Sequence, residues 1–372
     1  MKLQQTIGIL GGGQLARMTI AAAMQYGIRV KVLDKSADAP AAQYASEFTE
    51  GNPQDQAVAV AFAAGCDAVT IDSEHVSAAA LSELAQRGVR VFPSGEALAT
   101  IQNKCRQKEF FAAHKIPTAR FRVVPSLDAL RAQPPEFPAI QKKATAGYDG
   151  QGVMLLATEA DLARAFDGES LLEERVAIAK EIAVLVATDL QGQRVTYDPV
   201  EMVFDGVRNI LKYQICPADI SEDQARHARA IALLAAEKLG IRGLLAVEMF
   251  INTAGEILVN EMAPRPHNSG HHTIEAAATS QYENLVRMLT GMPLGDATTT
   301  TPSLMMNLLG PENGREAEFS AIISRALRIP NVHVHLYGKK DIRPYRKLGH
   351  ITLTGEADQI LVTYRQLTGG GQ

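Results

Sequence analysis

The first hundred residues alternate short apolar runs with segments of helical periodicity, and this alternation limits the fold more than any other feature of the chain. The apolar runs are TIGIL, IRVKVLD, DAVTID and VRVFP, and the segments between them include LARMTIAAAMQYG and ALSELAQRG. Strands that alternate with helices in this way form parallel sheets with crossover helices. We therefore expect a Rossmann-like domain over residues 1–104.

The pattern changes after residue 104. Residues 105–175 begin with a charged helix and continue with short strands around the loop ATAGYDGQG, which predicts a small α+β domain. Residues 176–372 contain long strand patterns such as EIAVLVATDL, LLAVEMFIN and EILVNEM. Consecutive strands of this kind predict an antiparallel sheet. The predicted fold class is α/β followed by α+β, in three domains.

Composition and charge exclude several classes of protein. The 37 basic and 41 acidic residues give a formal net charge of −4, with no basic block of the kind that binds nucleic acid or a membrane surface. No apolar run reaches the ~18 residues of a membrane span, and the N-terminus leads directly into a strand pattern, which indicates a cytoplasmic protein. The cysteines at 66, 105 and 216 lack metal-type spacing, so we interpret them as structural.

A glycine loop follows the first predicted strand. Gly11 to Ala16 form the pattern G-x-G-x-x-A, and Asp34 ends the next strand. This spacing matches the dinucleotide fingerprint, in which glycine backbone and a helix N-terminus approach an anion. NAD binding, binding of a substrate phosphate and a purely structural turn all remain open. The candidate substrate-binding residues here are Gly13, Gln14 and Leu15.

A second glycine-rich loop follows a predicted strand that ends in Lys142 and Lys143. Three glycines, at positions 147, 150 and 152, lie within six residues of this loop. Glycine amides can fold around phosphate oxygens and lysine supplies a positive charge, although the spacing is not that of a Walker loop. The alternative is an ordinary hairpin turn beside a solvated lysine.

Two glutamates are expected to face each other across a hairpin. The segment AVEMFINTAGEILVNEM contains two apolar runs around an Ala254-Gly255 turn, so paired residues have numbers that sum to 509, as Glu248 and Glu261 do. Carboxylates that face each other in this way repel unless a cation lies between them. Magnesium takes such ligands together with phosphate oxygens. The alternative is a pair of solvated strand glutamates.

Two polar segments follow the hairpin. The run Ala263 to His272 is rich in groups that recognise anions and hydroxyls, and a metal site formed by His267, His271 and His272 is the rival interpretation. Five of the nine residues from Lys339 to Lys347 are Lys or Arg. Glycine and proline near these charges suggest a shaped turn that binds a phosphate.

These motifs together resemble one family. GGGQLARM, AGYDGQG, LLAVEMF, LVNEMAPRPHNSGHHT and HLYGKKDIRPYRKLGHIT occur in this order and are similar to those of the 5-(carboxyamino)imidazole ribonucleotide synthases, ATP-grasp enzymes of purine biosynthesis. The resemblance covers nearly the whole chain. It implies a homodimer with three ATP-grasp domains, which uses ATP, magnesium and bicarbonate to carboxylate 5-aminoimidazole ribonucleotide through carboxyphosphate.

The resemblance also implies roles for individual residues. Magnesium would be bound by Glu248 and Glu261. ATP would be bound by Lys104, Lys142, Gly147, Gly150, Gly152, Glu173, Glu174, Arg175, Val176, Glu181, Asn260 and Glu261. The groups around the reacting atoms would be Tyr148, Asp149, His267, Asn268, Lys339 and Arg346. Further contacts to the ribonucleotide would come from Gly13, Gln14, Leu15, Asp72, Glu74, Ser269, Arg343 and Lys347.

The chain departs from the family pattern at several positions. Gln151 replaces a basic residue, residues 144–146 are Ala-Thr-Ala, and Asp72 with Glu74 replaces a pattern of two glutamates. Rival functions are another ATP-grasp carboxylate–amine ligase, such as a formate-using glycinamide ribonucleotide transformylase or a biotin carboxylase, an NAD-dependent oxidoreductase, and a non-catalytic nucleotide-binding regulator. The oxidoreductase leaves the paired glutamates and the basic segment unexplained.

Overall fold

Three β-sheets follow one another along the chain in the computed structural model, which describes residues 4–145, 152–205, 210–312 and 315–369. We call them the N-terminal sheet, the lid sheet and the large sheet. This order of one parallel and two antiparallel sheets confirms the predicted fold class. None of the helices in the described ranges combines the length and the apolar character that a membrane span requires.

The N-terminal sheet is parallel, and crossover helices connect its strands. Its strands are β1 (Thr6–Leu10), β2 (Arg29–Asp34), β3 (Glu47–Glu50), β4 (Ala68–Ile71) and β5 (Arg90–Phe92), and its helices are α1 (Gln14–Met24), α2 (Gln56–Phe62), α3 (Ala78–Gln86) and α4 (Gly95–Ile101). The strand order is β3-β2-β1-β4-β5. Because β1 and β4 are parallel neighbours, the glycine loop after β1 lies beside Asp72, the residue that follows β4.

The lid sheet is small and antiparallel. Its strands are β6 (Phe121–Val124), β7 (Ala139–Lys143), β8 (Val153–Leu156) and β9 (Ser170–Glu174), and the helices beside it are α5 (Lys104–Ala113) and α6 (Leu127–Ala132). The order is β6-β9-β7-β8. Asn103 caps the N-terminus of α5, and its side chain accepts hydrogen bonds from the backbone N–H groups of Cys105 and Arg106. A short 3-10 helix at Glu159–Ala163 lies between β8 and β9.

The large sheet contains nine antiparallel strands among the described residues. They are β10 (Ile178–Thr188), β11 (Arg194–Thr196), β12 (Val200–Phe204), β13 (Leu211–Cys216), β14 (Gly243–Asn252), β15 (Ile257–Ala263), β16 (Ser303–Leu309), β17 (Val332–Leu336) and β18 (Lys347–Thr354). Their order is β15-β14-β10-β12-β13-β16-β18-β17, and β11 pairs with β10. The helices are α7 (Glu222–Lys238), α8 (Thr273–Ala276), α9 (Gln281–Thr290), α10 (Glu316–Ala326) and α11 (Ala357–Thr368).

The two faces of β10, β14 and β15 have different roles. Ile182, Val247 and Met249 are buried in a core with α7. Side chains alternate between the faces of a strand, so Glu181 and Glu248 project from the opposite face. That face is where the lid sheet approaches, and it carries the polar residues described next.

Candidate active site

The hairpin formed by β14 and β15 brings the two predicted glutamates together. Glu248 pairs directly with Glu261, as the residue sum of 509 predicts. The predicted two-residue turn is wrong, however. The loop contains the three residues 253–255, because the Asn252 N–H donates to the Glu256 carbonyl at 2.9 Å, and Gly255 adopts a left-handed φ of 84°.

A β-bulge at Asn260 explains why the pairing holds despite the longer loop. Met249 pairs with Val259, whereas Glu248 pairs with Glu261, so Asn260 is the additional residue. A bulge interrupts the regular alternation of side chains between the two faces of a strand, so a side chain next to it changes direction. Val259 and Met262 lie in the core with α7, while Asn260 and Glu261 both contact lysines on the other side. The bulge therefore directs two consecutive polar residues into the site.

Lysines from α5 and β7 meet these two residues. The Lys104 ammonium donates to the Glu261 carboxylate. The Lys142 ammonium lies 2.9 Å from Asn260 Oδ1 and 2.7 Å from Glu173 Oε2. A lysine ammonium has three N–H donors, so these two contacts leave one N–H of Lys142 without a partner among the described residues.

Burial and neighbouring charges shift the pKa values of the carboxyl groups in this cleft. Burial by itself would raise the pKa of the Glu261 carboxyl, but the adjacent Lys104 ammonium outweighs burial and lowers this pKa. The pKa of Glu181 changes in the opposite direction. Burial, with a further contribution from Glu248, raises the pKa of the Glu181 carboxyl to about 7. Additional positive charge, such as a magnesium ion, would favour the ionised forms of these carboxylates.

The raised pKa of Glu181 predicts a pH-dependent stability difference. The folded protein holds the Glu181 proton up to about pH 7, whereas an unfolded glutamate loses it near 4.3. Ionised Glu181 thus destabilises the fold as pH rises through this interval. Glu181→Gln should raise the free energy of unfolding by up to about 3 kcal/mol at about pH 8 and leave it unchanged at about pH 4. Urea unfolding at both values tests this, and equal stabilisation at both would contradict it.

The polar run after β15 forms a fixed loop beside the glutamates. The Ser269 N–H donates to His267 Nδ1 at 3.2 Å, so Nε2 carries the proton and lies 3.1 Å from Glu248 Oε1. The buried side chain of Gln281 holds the loop, since it accepts from the His267 N–H at 2.9 Å and donates to the His267 carbonyl at 2.8 Å. Asn268 and Ser269 follow on a short 3-10 turn.

The rival metal site made from three histidines does not form. Tyr282 Oη lies 2.9 Å from His271 Nδ1. His272 Nδ1 is 3.0 Å from the carbonyl oxygen of Ser269. Burial lowers the pKa of His271, and it lowers the pKa of His272 to about 4. These two histidines are neutral packing groups beneath the loop that carries His267.

Two carboxylates of this chain accept hydrogen bonds from backbone N–H groups of the glycine loop and the start of α1. The Asp72 carboxylate accepts from the Ala16 N–H at 2.6 Å, and Asp34 accepts from the Gly12 N–H at 2.7 Å. A Cβ on Gly13 would lie 2.2 Å from Asp72 Oδ2, so this position needs glycine. Burial raises the pKa of Asp72. Since a carboxylate holds the start of α1, this loop does not offer the anion site that NAD pyrophosphate requires.

The other acid of this segment, Glu74, also has a partner. Arg265 Nε donates to Glu74 Oε2 at 2.8 Å, which links the N-terminal sheet to the polar loop after β15. Gln14 and Leu15 lie in the first turn of α1. The glycine loop and the polar loop therefore border the same region.

The basic segment forms a turn between β17 and β18 that is fixed to the end of β16. Gly310 N–H donates to the Arg346 carbonyl at 2.9 Å, and the Tyr345 N–H donates to the Gly310 carbonyl at 2.9 Å. Asp341 lies 2.6 Å from Arg343 Nη2 and 3.7 Å from Arg346 Nη1. The Asp341 carboxylate therefore makes the turn less positive than its number of Lys and Arg residues suggests.

The turn also lies near the polar loop. The His271 and His350 rings are 4.7 Å apart, and Lys347 contributes to the lowered pKa of His271. The Lys339 ammonium donates to the Lys347 carbonyl at 2.8 Å. The structure thus brings the basic turn and the His267 loop together, as their predicted roles require.

Some predicted residues lie at the edge of the described ranges or outside them. Gly147, Tyr148, Asp149, Gly150 and Gln151 lie outside. Gly152 is described, and its carbonyl accepts from the Lys143 N–H at 2.9 Å. The Glu174 carboxylate binds Arg120 Nε at 2.8 Å. Arg175 and Val176 form the irregular link from the lid sheet to the large sheet.

The paired glutamates fit one kind of cation. The described ranges contain no group of three or more His, Cys, Asp or Glu side chains placed to hold a metal. Glu248 and Glu261 therefore fit a cation that takes its other ligands from phosphate oxygens and water, as Mg²⁺ does in nucleotide sites. The lysines beside the pair suit the same phosphates. These features together define the class of protein as an ATP-grasp enzyme, in which a nucleotide binds between the lid sheet and the large sheet.

Comparisons with known proteins agree with this class. Three family models match: the ribonucleotide synthetase preATP-grasp domain at residues 4–102, the ATP-grasp domain at 109–282 and the phosphoribosylaminoimidazole carboxylase C-terminal domain at 303–362. The N5-carboxyaminoimidazole ribonucleotide synthase of Mycobacterium tuberculosis is 39% identical over 360 residues, which cover 94% of this chain and 83% of the relative. The chain belongs to the N5-carboxyaminoimidazole ribonucleotide synthase family, whose members are ATP-dependent ligases.

Solved structures support the same assignment. The N5-carboxyaminoimidazole ribonucleotide synthetase from Thermotoga maritima has a TM-score of 0.87 and 38% identity, with 98% of each chain covered. The Aspergillus clavatus synthase, solved with ADP and 5-aminoimidazole ribonucleotide, has a TM-score of 0.91 and 31% identity, with 100% of this chain and 99% of that chain covered. The resemblance inferred from the motifs is confirmed.

Two residues that contact the site were not predicted from the sequence. Gln281, whose side chain holds the His267 backbone, lies in the segment TSQYENLVRMLTGMPLG, which is similar to the family but was not assigned a role. Lys108 lies one helical turn after Lys104 and is buried. The i, i+4 spacing of Lys104 and Lys108 on one predicted helix indicates that both lysines lie on the same face.

Proposed function

We propose that this chain catalyses the ATP-dependent carboxylation of 5-aminoimidazole ribonucleotide by bicarbonate. The observation that carries the proposal is the cleft in which Glu248 and Glu261 face each other beside Lys104 and Lys142. Such a cleft suits magnesium and the phosphates of ATP. The Aspergillus clavatus relative, solved with ADP and the aminoimidazole ribonucleotide, supports the choice of acceptor.

The reaction would proceed in two steps. A bicarbonate oxygen attacks the γ-phosphorus of ATP and ADP leaves, which gives carboxyphosphate. The exocyclic amine then attacks the carboxyl carbon, the bond from that carbon to the phosphate oxygen breaks, and the amine loses a proton. Magnesium, when bound, neutralises the charge that builds up on the phosphate oxygens.

The residues of this chain would mainly position the reactants and exclude water. Lys142 would bind a phosphate through its remaining N–H, and Glu248 and Glu261 would hold the cation. The segment Glu173 to Val176 would contact adenine, and Glu181 the ribose. The loop of residues 147–152, of which 147–151 lie outside the described residues, stays a predicted phosphate contact. A cleft that excludes water would protect an intermediate that water destroys.

The acceptor would bind where the glycine loop, the His267 loop and the basic turn meet. The fixed His267 and the neighbouring Asn268 and Ser269 suit hydroxyl and carboxylate oxygens. Lys339, Arg343, Arg346 and Lys347 suit the ribonucleotide phosphate. Tyr148 and Asp149 complete our proposed set of residues near the amine.

An isotope experiment tests the carboxyphosphate route. With ¹⁸O-labelled bicarbonate, each phosphate released should carry one oxygen from bicarbonate, because the bridging oxygen leaves with the phosphate. Mass spectrometry of the phosphate in early time points measures this transfer. Unlabelled phosphate formed alongside the carboxylated product would rule out the route.

Arg346→Ala should raise the KM for the ribonucleotide about tenfold or more and change kcat little, because it removes one charge-assisted phosphate contact. Initial-rate kinetics with varied ribonucleotide measure this effect. Arg365→Ala, which removes an exposed arginine from α11, is the matched control. An unchanged KM for Arg346→Ala would remove this residue from the phosphate site.

Domain organisation, assembly and location are further parts of the proposal. We assign domains at residues 1–104, 105–175 and 176–372, each containing one of the three sheets. We also propose a homodimer in the cytoplasm, as the family resemblance implies. Light scattering at micromolar concentration tests the assembly, and a monomeric mass would contradict it.

A further inference from the structure

Lys108 is the most deeply buried lysine near the nucleotide cleft. Its side chain is 4% exposed. Its ammonium lies 2.7 Å from Glu173 Oε1, donates to Thr118 Oγ1 and lies 3.3 Å from the Val259 carbonyl. The ammonium thus has one ion-pair partner and two hydrogen-bond acceptors. Burying a charge is costly unless it is compensated in this way, so the position calls for an explanation beyond packing.

Glu173 connects Lys108 to the phosphate lysine. One oxygen of this 5% exposed carboxylate contacts Lys108 and the other contacts Lys142, both at 2.7 Å. The single negative charge of Glu173 is therefore shared between the two lysine ammonium groups. The pair of lysines retains a net charge of about +1. Both lysines line the pocket that Asn260 and Glu261 border, and Lys142 is the one whose ammonium contacts Asn260.

Lys108 also joins the two sheets that enclose the cleft. Glu173 and Lys142 belong to β9 and β7 of the lid sheet, whereas Val259 belongs to β15 of the large sheet. Val259 directly precedes Asn260, whose side chain accepts from Lys142. The Thr118 hydroxyl donates to the same Val259 carbonyl at 2.7 Å. Lys108 thus fixes a lid carboxylate relative to the strand that carries the magnesium ligand.

We propose that Lys108 is a positioning residue of the nucleotide site. By sharing Glu173 it leaves Lys142 positively charged, and by binding Val259 it sets the distance from Lys142 to Asn260 and Glu261. The inference rests on the proposed function only in that Lys142 binds a phosphate of ATP. Without Lys108, Glu173 would neutralise Lys142 in a one-to-one pair.

The test is the affinity for magnesium-ATP, measured by calorimetry without the acceptor, together with initial-rate kinetics. Lys108→Met should weaken ATP binding about tenfold or more and leave the KM for the ribonucleotide unchanged. Lys31→Met is the matched control, since Lys31 is a partly buried lysine in an ion pair with Glu47 of the N-terminal sheet. Unchanged ATP affinity in Lys108→Met would overturn the proposal.

A double variant separates charge from simple structural damage. Adding Glu173→Gln to Lys108→Met removes the carboxylate that neutralises Lys142, so ATP affinity should recover at least threefold relative to Lys108→Met. A double variant that binds no better than Lys108→Met would overturn the charge-sharing role. If Lys108→Met does not fold, as judged by circular dichroism, Lys108→Gln carries the same two comparisons, because it keeps an N–H donor without the charge.

These measurements remain informative if the proposed acceptor is wrong. Wild-type protein that binds magnesium-ATP but gains no turnover from the ribonucleotide would contradict the proposed function, while the Lys108 comparisons in ATP affinity would still decide this inference. Wild-type protein that binds no ATP would overturn the inference itself.

Discussion

Glu261→Gln should lower ATP turnover by about a thousandfold, because losing one of two cation ligands removes roughly 4 kcal/mol of transition-state stabilisation. Glu261 pairs with Glu248 across the hairpin and projects from the bulge at Asn260. Glutamine keeps the size of the side chain but not its charge. The substitution also removes the carboxylate that neutralises the Lys104 ammonium, so this positive charge stays available to the ATP phosphates. The affinity for ATP should therefore change less than turnover.

The measurement is phosphate release at saturating magnesium-ATP, bicarbonate and ribonucleotide. Glu256→Gln is the control on the same hairpin, because Glu256 is exposed and, within the part of the chain that the structure describes, its carboxylate contacts only the Asn252 amide. We expect turnover like that of the wild type in this control. Turnover within threefold of wild type in Glu261→Gln would refute the assignment of the magnesium pair.

Lys142→Met should raise the KM for ATP about a hundredfold, because a charge-assisted hydrogen bond to a phosphate contributes up to about 3 kcal/mol. The Lys142 ammonium lies between the lid carboxylate Glu173 and Asn260, with one N–H left for the nucleotide. Methionine retains the apolar stem of the side chain. The KM for the ribonucleotide should remain near the wild-type value.

The neighbouring lysine provides the control for this prediction. Lys143 follows Lys142 on β7, and its ammonium lies 4.8 Å from the centre of the Phe166 ring, away from the cleft. Lys143→Met should therefore leave the KM for ATP within twofold of wild type. Equal effects of the two substitutions would show that general positive charge, and not the position of Lys142, determines ATP binding.

The sequence was sufficient to predict the order of the sheets and the pairing of the glutamates. The first follows from the change in hydrophobic period along the chain, and the second from simple arithmetic across a hairpin. The predicted pairing of Glu248 with Glu261 is correct although the loop is one residue longer than predicted. The extra residue at the Asn260 bulge shifts the strand register by one, which brings the residue sum back to 509. A bulge depends on how a strand packs against its neighbours, and local sequence does not report it.

Other parts of the site could not be predicted because they depend on distant contacts. Lys108 is 65 residues from Glu173 and 151 from Val259, so its role appears only when α5 packs against both sheets. The family resemblance implies a ribonucleotide contact for Asp72 or Glu74, and the structure adds that the Asp72 carboxylate accepts the Ala16 N–H at the start of α1. Its distance from Gly13 follows from the parallel pairing of β1 and β4, which the fingerprint alone does not specify.

The proposal as a whole is tested most directly by phosphate release from magnesium-ATP and bicarbonate with and without 5-aminoimidazole ribonucleotide, beside a parallel reaction with glycinamide ribonucleotide and formate. We predict strong stimulation by the aminoimidazole ribonucleotide and none by the glycinamide pair. Stimulation by glycinamide ribonucleotide and formate instead, or by neither acceptor, would contradict the carboxylation of 5-aminoimidazole ribonucleotide by this chain.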